Sequence, residues 1–135
     1  MALGTWDPDA EKAAEAVHID LHQLQQFIDW SREDTLATLH ERISGPDSQR
    51  LAGLMHLDAG HWQQVAEDYS DEDLHHLVRF FTVAENLPGW EAGETSPVIP
   101  LARVLRKRGH KLERDFLLWI RSVNNNRYLP YGPLI

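Results

Sequence analysis

Two glutamate–histidine pairs have the residue types and spacing that come nearest to a metal site in this chain. Glu15 precedes His18 by three positions, and Glu72 precedes His75 by the same spacing. His18 and His22 are four positions apart, which places both imidazoles on one face of a helix. Helical bundles build di-iron centres from paired Glu-x-x-His motifs and two further carboxylates. These five residues therefore define one hypothesis, a histidine and carboxylate metal protein.

Helical geometry argues against a metal site at the centre of a bundle. At about 100° per residue, His18 lies about 100° and Glu15 about 160° from the apolar stripe of their predicted helix. His75 and Glu72 lie at about the same two angles from the apolar stripe of theirs. Both pairs point away from the predicted core. We therefore expect solvated polar side chains, and no cofactor, at these positions.

Charge is divided unevenly along the chain. Residues 1–100 contain 5 Lys/Arg and 19 Asp/Glu, a formal charge of −14, whereas residues 101–135 contain 8 and 2, a formal charge of +6. The whole chain carries a formal charge of −8, which disfavours general affinity for nucleic acid. The positive segment needs a negative counterpart, either in the first hundred residues, in a second copy, or in an external partner.

The basic segment has the outline of a helix-turn-helix. Its cations gather between Arg103 and Arg114 on both sides of Gly109. The second helix, however, contains five consecutive apolar residues, Phe116 to Ile120, where a recognition helix needs polar side chains for base edges and phosphates. Sequence-specific DNA binding is therefore not expected. Contact with backbone phosphates through residues 103–114, as a nucleic-acid accessory protein, stays open as an alternative.

Protein contacts are favoured by the same apolar helix and by the aromatic C-terminal tail. One face of this helix is formed by Leu112, Phe116, Trp119, Ile120 and Val123. Leu117 and Leu118 fall outside that face, so the helix is either central to the bundle or covered by a partner. The tail is expected to dock on the bundle, on another subunit or on a partner. Trp90, in the irregular stretch near 86–100, either covers the core or makes contacts with a partner. The candidate contact residues are Arg103, Arg106, Lys107, Arg108, Lys111, Trp90, Leu118, Tyr128 and Tyr131.

The hydrophobic residues recur with a helical period through most of the chain. This pattern predicts an all-α domain over residues 1–135, a bundle of five to six helices with an irregular loop near 86–100 and an extended tail over 124–135. The first helix is predicted to run from Pro8 past Leu21 to Ile28, with Leu21 in its buried stripe. Further helix starts are predicted from the capping residues Ser31 with Asp34, Asp47, Asp58 and Ser70.

Several classes of function are disfavoured by what the sequence lacks. The absence of cysteine excludes disulfides, thiolate metal sites and a cysteine nucleophile. There is no nucleophile elbow, phosphate-binding glycine loop, zinc-protease motif or EF-hand loop, so catalysis is not expected. No apolar run reaches the roughly 18 residues of a membrane span, and the first residues do not resemble a signal peptide. We expect a cytoplasmic, non-catalytic protein that acts through protein contacts as an adaptor, a regulator or a self-associating unit.

Overall fold

The computed structural model describes residues 20–132, and over this range the chain is helical without any strand. The prediction of an all-α domain of packed helices is confirmed, with a slightly larger number of helices. The seven α-helices are α1 (Leu21–Arg32), α2 (Leu39–Arg42), α3 (Gly45–Ala52), α4 (Ala59–Ala66), α5 (Asp71–Ala84), α6 (Val98–Lys107) and α7 (Arg114–Val123). Short 3-10 segments cover Leu36–Thr38, Gly53–His56 and Gly93–Thr95.

Two helices begin where capping residues predict a start. Asp58 is extended, and its carboxylate accepts a hydrogen bond of 3.0 Å from the backbone N–H of His61 at the start of α4. The hydroxyl of Ser70 accepts one of 3.1 Å from the N–H of Asp73 in the first turn of α5. Such caps satisfy backbone donors that have no partner within the helix, and each contributes about 1 kcal/mol.

Helix α5 lies at the centre of the molecule and packs against α1, α6 and α7. The apolar residues that the helical period places inside (Leu74, Leu77, Val78, Phe81 and Ala84) are buried, and Phe80 joins them in the core. The Phe80 ring stacks on Phe27 of α1 with centroids 3.8 Å apart, and Phe81 meets the Trp62 ring of α4 edge-on at 5.2 Å. The buried residues of α5 are Leu74, Leu77, Val78, Phe80, Phe81, Thr82 and Ala84.

The N-terminal region departs from the predicted helix boundaries. Helix α1 begins at Leu21, because Asp20 is extended (φ −94°, ψ 115°) and accepts a hydrogen bond of 2.9 Å from the N–H of His22. The predicted continuous helix through this position is therefore wrong, and its start at Pro8 lies outside the described residues. The predicted cap Ser31 is instead a buried residue inside α1, since its hydroxyl bonds the Nδ1 of His76, 2.8 Å away.

The next connection also differs from prediction. Asp34 has a φ of 59° in the turn after α1, where a carboxylate side chain tolerates the left-handed conformation. Ser44, rather than Asp47, occupies the cap position of α3, and Gly45 and Pro46 form the first helical positions. Proline is well suited to this place, because its missing N–H would have no partner within the helix.

The segment between α5 and α6 is shorter than predicted, because α6 begins at Val98 and contains Pro100 in its first turn. Trp90 is completely buried, and its Nε1 donates to the hydroxyl of Ser48, 3.1 Å away. It therefore closes this loop over the core. At the other end, the described part of the tail turns back on the bundle and buries Leu129.

Candidate functional site

The junction between α6 and α7 is organised by Arg108. Gly109 ends α6 with a φ of 86°, and the preceding Arg108 reaches back to α4. Its guanidinium donates to the backbone oxygens of Tyr69 (3.0 Å) and Ala66 (2.9 Å) and pairs with the Asp71 carboxylate at 2.9 Å. A cation is favourable at these carbonyls, which carry the negative end of the helix dipole. Arg108, a predicted contact residue, is therefore committed to the fold.

The tail occupies the outer side of α6 through Tyr131. Arg103 donates from Nε to the Tyr131 backbone oxygen at 2.9 Å, and the Arg106 guanidinium lies 4.4 Å from the centroid of the Tyr131 ring. The phenol oxygen accepts a hydrogen bond of 3.2 Å from the N–H of Leu112. Two of the predicted contact residues, Arg103 and Arg106, thus contact a third, Tyr131, and the tail docks on its own bundle.

A basic groove of about 460 Å³ lies between α4 and α6. Four predicted contact residues line it together with Gln63, Glu67 and Val104, and these are Arg103, Arg106, Lys107 and Arg108. Lys107 and Arg106 are exposed, whereas the contacts just described hold the other two guanidinium groups in place. The structure therefore brings together the basic part of the predicted set. Lys111 is exposed beyond Gly109 and does not line this groove.

Helix α7 is the least buried of the long helices that the structure describes. Ile120 is its one buried residue, although five consecutive positions are apolar. Phe116 is half-buried beside the His75 ring, with centroids 4.3 Å apart, and the Arg79 guanidinium covers Trp119 at 5.7 Å. Leu118 is 52% exposed. Of the two predicted alternatives, a central position in the bundle is wrong, because α7 packs along one edge of α5.

The exposed part of α7 combines leucine with arginine, and we call it the α7 surface. Arg114 and Arg121 lie four positions before and three positions after Leu118, on the same side of the helix. Both are exposed, and neither guanidinium pairs with a carboxylate of residues 20–132. The α7 surface (Arg114, Leu118 and Arg121) therefore has an apolar centre with one arginine before it and one after it, and the exposed Asp115 beside Arg114 leaves it net positive.

A second exposed leucine, on α1, has negative neighbours, and we call this region the α1 surface. Leu21 is 53% exposed, and with Leu118 it makes up the exposed large apolar side chains of the described range. Asp20 precedes it, and Asp29 lies eight positions further along α1, about 80° around the helix from Leu21. The α1 surface is formed by Asp20, Leu21 and Asp29. Sequence reasoning missed it by placing Leu21 in a longer helix, although Asp20 has the residue type of a helix cap.

The predicted metal ligands are only partly within the described residues. Glu15 and His18 lie outside them, and His22 is exposed on α1. Glu72 is exposed and approaches Arg32 and His76 at 3.8 and 3.9 Å. His75 packs beside an aromatic ring instead, and burial lowers the pKa of its imidazole. Between residues 20 and 132, no three His, Cys, Asp or Glu side chains form a group able to hold a metal ion.

Histidine 76 links α5 to α1 in a contact that the sequence did not indicate. Its Nδ1 lies 2.8 Å from the Ser31 hydroxyl, and its Nε2 lies 3.9 Å from the Glu72 carboxylate. Burial lowers the pKa of this imidazole, and the positive charges of Arg32 and Arg79 lower it further. The neutral imidazole suits this position, where it joins two helices by a hydrogen bond.

Comparison with protein-family models, with curated proteins and with solved structures gives no match to this chain. Among the helices that the structure describes, none combines the length and the apolar character that crossing a membrane requires. The functional interpretation therefore depends on the geometry of the surfaces themselves.

Proposed function

We propose that this is a non-catalytic protein-interaction protein that assembles with copies of itself, with the α7 surface of one copy docked on the α1 surface of the next. One observation carries the proposal. The two large apolar side chains most exposed on the described part of the chain, Leu118 and Leu21, lie in surroundings of opposite net charge. Two arginines and Asp115 are near Leu118, and two aspartates are near Leu21. Apolar burial supplies affinity at such a contact, and the complementary charges select the partner and its orientation.

The arrangement of charges favours two different surfaces over a symmetric contact. In a two-fold dimer through α7, each copy would bring two arginines and one carboxylate, Asp115, to the contact. Two surfaces that are both net positive would then face each other, and like charges repel. Docking on Leu21 instead brings the arginines to Asp20 and Asp29. Contacts between two different surfaces leave one free surface of each kind, so they continue into rings or open chains.

The energies indicate a weak, reversible association. Full burial of an exposed leucine side chain contributes about 1.5–3 kcal/mol. Leu118 and Leu21 are 52% and 53% exposed, so the two leucines together contribute about that amount. Association costs at least about 4 kcal/mol in lost translational and rotational freedom. Leucine burial alone does not exceed this cost, so attraction between the charged neighbours is needed as well. We therefore expect assembly at high protein concentration and low salt, as at a transient interface.

A pair of blocking variants tests the proposal. Leu118→Glu blocks the α7 surface, and Leu21→Glu blocks the α1 surface, each at an exposed helical position where folding is tolerant. By sedimentation velocity the wild type is expected to form larger species as its concentration rises, whereas each variant alone stays monomeric. An equimolar mixture is expected to form one-to-one dimers and nothing larger, because each variant retains the surface that the other has lost.

A control variant and two outcomes that would contradict the proposal complete this test. Gln64→Glu adds the same charge at an exposed position of α4 and is expected to assemble like the wild type. A wild type that stays monomeric at high concentration and low salt would overturn the proposal. So would a Leu21→Glu variant that still forms dimers, since that result indicates a symmetric α7 contact.

The basic groove supports phosphate binding less strongly. Arg103 and Arg108 are engaged by backbone oxygens of the protein, which leaves Arg106 and Lys107 as its freely exposed cations. Arg106 also lies over the Tyr131 ring. Backbone phosphate binding gains affinity from many cations that release counterions together, and two cations supply little of it.

A further inference from the structure

A buried carboxylate lies at the C-terminal end of α5, far along the helix from the histidines. Glu85 is the residue that follows α5, and it is only 5% exposed. Its Oε1 accepts three hydrogen bonds, from the N–H of Ala92 (2.9 Å), the N–H of Gly93 (3.1 Å) and the Nδ2 of Asn126 (2.7 Å). One carboxylate oxygen thus joins the end of α5 to the following loop and to the segment after α7.

The asparagines after α7 hold this carboxylate in a defined position. Asn126 also donates to the backbone oxygen of Gly93 at 2.8 Å, and its N–H donates to the Oδ1 of Asn124 at 2.6 Å. Asn124 is buried and donates to the backbone oxygen of Thr82 in α5 at 2.8 Å. Residues that the sequence indicates only as a helix end therefore form a rigid polar framework around Glu85.

The other carboxylate oxygen has no such partner. The Oε2 of Glu85 is buried and accepts no hydrogen bond from the residues that the structure describes. A buried acceptor without a donor costs about 1–3 kcal/mol. Glu85 also lines a cavity of about 490 Å³, whose wall includes Asn86, Glu91, Asn125 and Arg127. A residue with an acceptor in need of a donor therefore lines a space large enough for a small molecule.

We infer that this cavity binds a small molecule through a primary ammonium group that donates to the Oε2 of Glu85. Two carboxylates, Glu85 and Glu91, face one guanidinium in the lining, and the Nη2 of Arg127 lies 3.2 Å from the Tyr128 hydroxyl. An ammonium group carries three donors, so it can satisfy Oε2 and also bond carboxylate or amide oxygens of the wall. The side chains of Glu91, Asn125 and Arg127 are exposed, and binding requires this part of the wall to rearrange until the ligand reaches the buried Oε2.

Glutamine at position 85 tests this inference with little change of shape. Glu85→Gln retains an oxygen that can accept the three hydrogen bonds now made to Oε1. It replaces Oε2 by an amide NH₂ group, which donates hydrogen bonds and does not accept them. With 1,4-diaminobutane as the probe, titration calorimetry is expected to show binding to the wild type and at least about tenfold weaker binding to the variant. Glu94→Gln, which removes the same charge from an exposed residue outside the cavity lining, is expected to bind like the wild type.

A second measurement uses the wild type alone, in case the variant fails to fold. The side-chain carboxyl carbon of Glu85, followed by NMR, is expected to shift as the diamine is added and to stay unchanged with 1,4-butanediol, which lacks the charge. Absence of any shift with the diamine, or equal binding of the diol, would overturn the inference. Leu118 does not line this cavity, so Leu118→Glu is expected to bind the diamine as the wild type does. This variant therefore separates diamine binding from self-association.

Discussion

Helices α5 and α7 have similar apolar patterns but very different surroundings. Helix α5 is packed by α1, α6 and α7, and seven of its residues are buried. Helix α7 carries five consecutive apolar residues, of which Ile120 alone is buried. The number of apolar residues in a helix therefore does not determine how far it is buried, because burial also needs neighbouring helices on each apolar side.

The difference assigns different roles to the two helices. Apolar side chains of α5 stabilise the fold, since their area is already removed from water within the molecule. The apolar side chains of α7 are partly exposed, and in the proposed assembly part of that free energy is gained at a contact with another copy. Shortening a buried side chain of α5 is therefore expected to change the free energy of unfolding, whereas shortening Leu118 at the α7 surface is expected to change assembly.

The largest expected effect comes from removing a core ring of α5. Phe81→Ala leaves a cavity between Phe27 and Trp62 and is expected to lower the free energy of unfolding by about 3–5 kcal/mol. Leu118→Ala on α7 is expected to change it by less than about 0.5 kcal/mol, because the leucine is already half in water. Urea denaturation measures both values. Equal losses for the two variants would show that α7 is as much a part of the core as α5.

A smaller effect is expected from the two adjacent histidines of α5, which face different helices. Burial is the main cause that lowers the pKa of His75 beside α7 and of His76 beside α1, and both lie below the usual value of 6.5. The unfolded chain therefore binds more protons than the folded one as the pH falls below 6.5. The free energy of unfolding is therefore expected to decrease as the pH falls below 6.5, whereas above this pH the two histidines cause no loss.

Denaturation at a series of pH values distinguishes the contributions of these histidines. His76→Asn keeps a polar group near Ser31 but cannot gain a proton, so its stability is expected to fall less steeply than that of the wild type as the pH drops below 6.5. His22→Asn, at an exposed position of α1, is expected to retain the wild-type slope. A slope unchanged by His76→Asn would mean that this imidazole is not responsible.

The sequence was sufficient for elements whose pattern is local. Ser70 and the apolar residues that follow it predict both the start and the buried stripe of α5, because capping and helical periodicity involve neighbours within a few positions. The start of α1 was missed because an apolar period that continues through Asp20 has the same appearance as one that a cap interrupts. The buried role of Ser31 was missed because its partner, His76, is 45 positions away.

The candidate sites were less accessible to sequence reasoning for the same physical reason. The basic residues were found, but the commitment of Arg108 to the end of α4 depends on contacts with residues about 40 positions earlier. Glu85 was not singled out at all. Its surroundings come from the turn before α6 and from the asparagines after α7, which only the folded chain brings together.

The smallest effect, and the most specific test of the difference between the two helices, is a charge exchange between the proposed surfaces. Arg121→Glu places a carboxylate beside Leu118, where it would face Asp29 of the next copy, and Asp29→Lys reverses the other surface. Exposed charge pairs contribute about 0.2–1 kcal/mol, so each single change is expected to weaken assembly by a few fold.

The combined variant separates a specific contact from a general effect of net charge. Arg121→Glu changes the net charge by −2 and Asp29→Lys by +2, so the double variant has the charge of the wild type. Sedimentation equilibrium is expected to show that the double variant recovers most of the affinity, because attraction across the contact is restored with the signs exchanged. If the two losses simply add, these residues do not face each other. The leucines would then dock on some other surface, and the oppositely charged neighbours would not be what orients the copies.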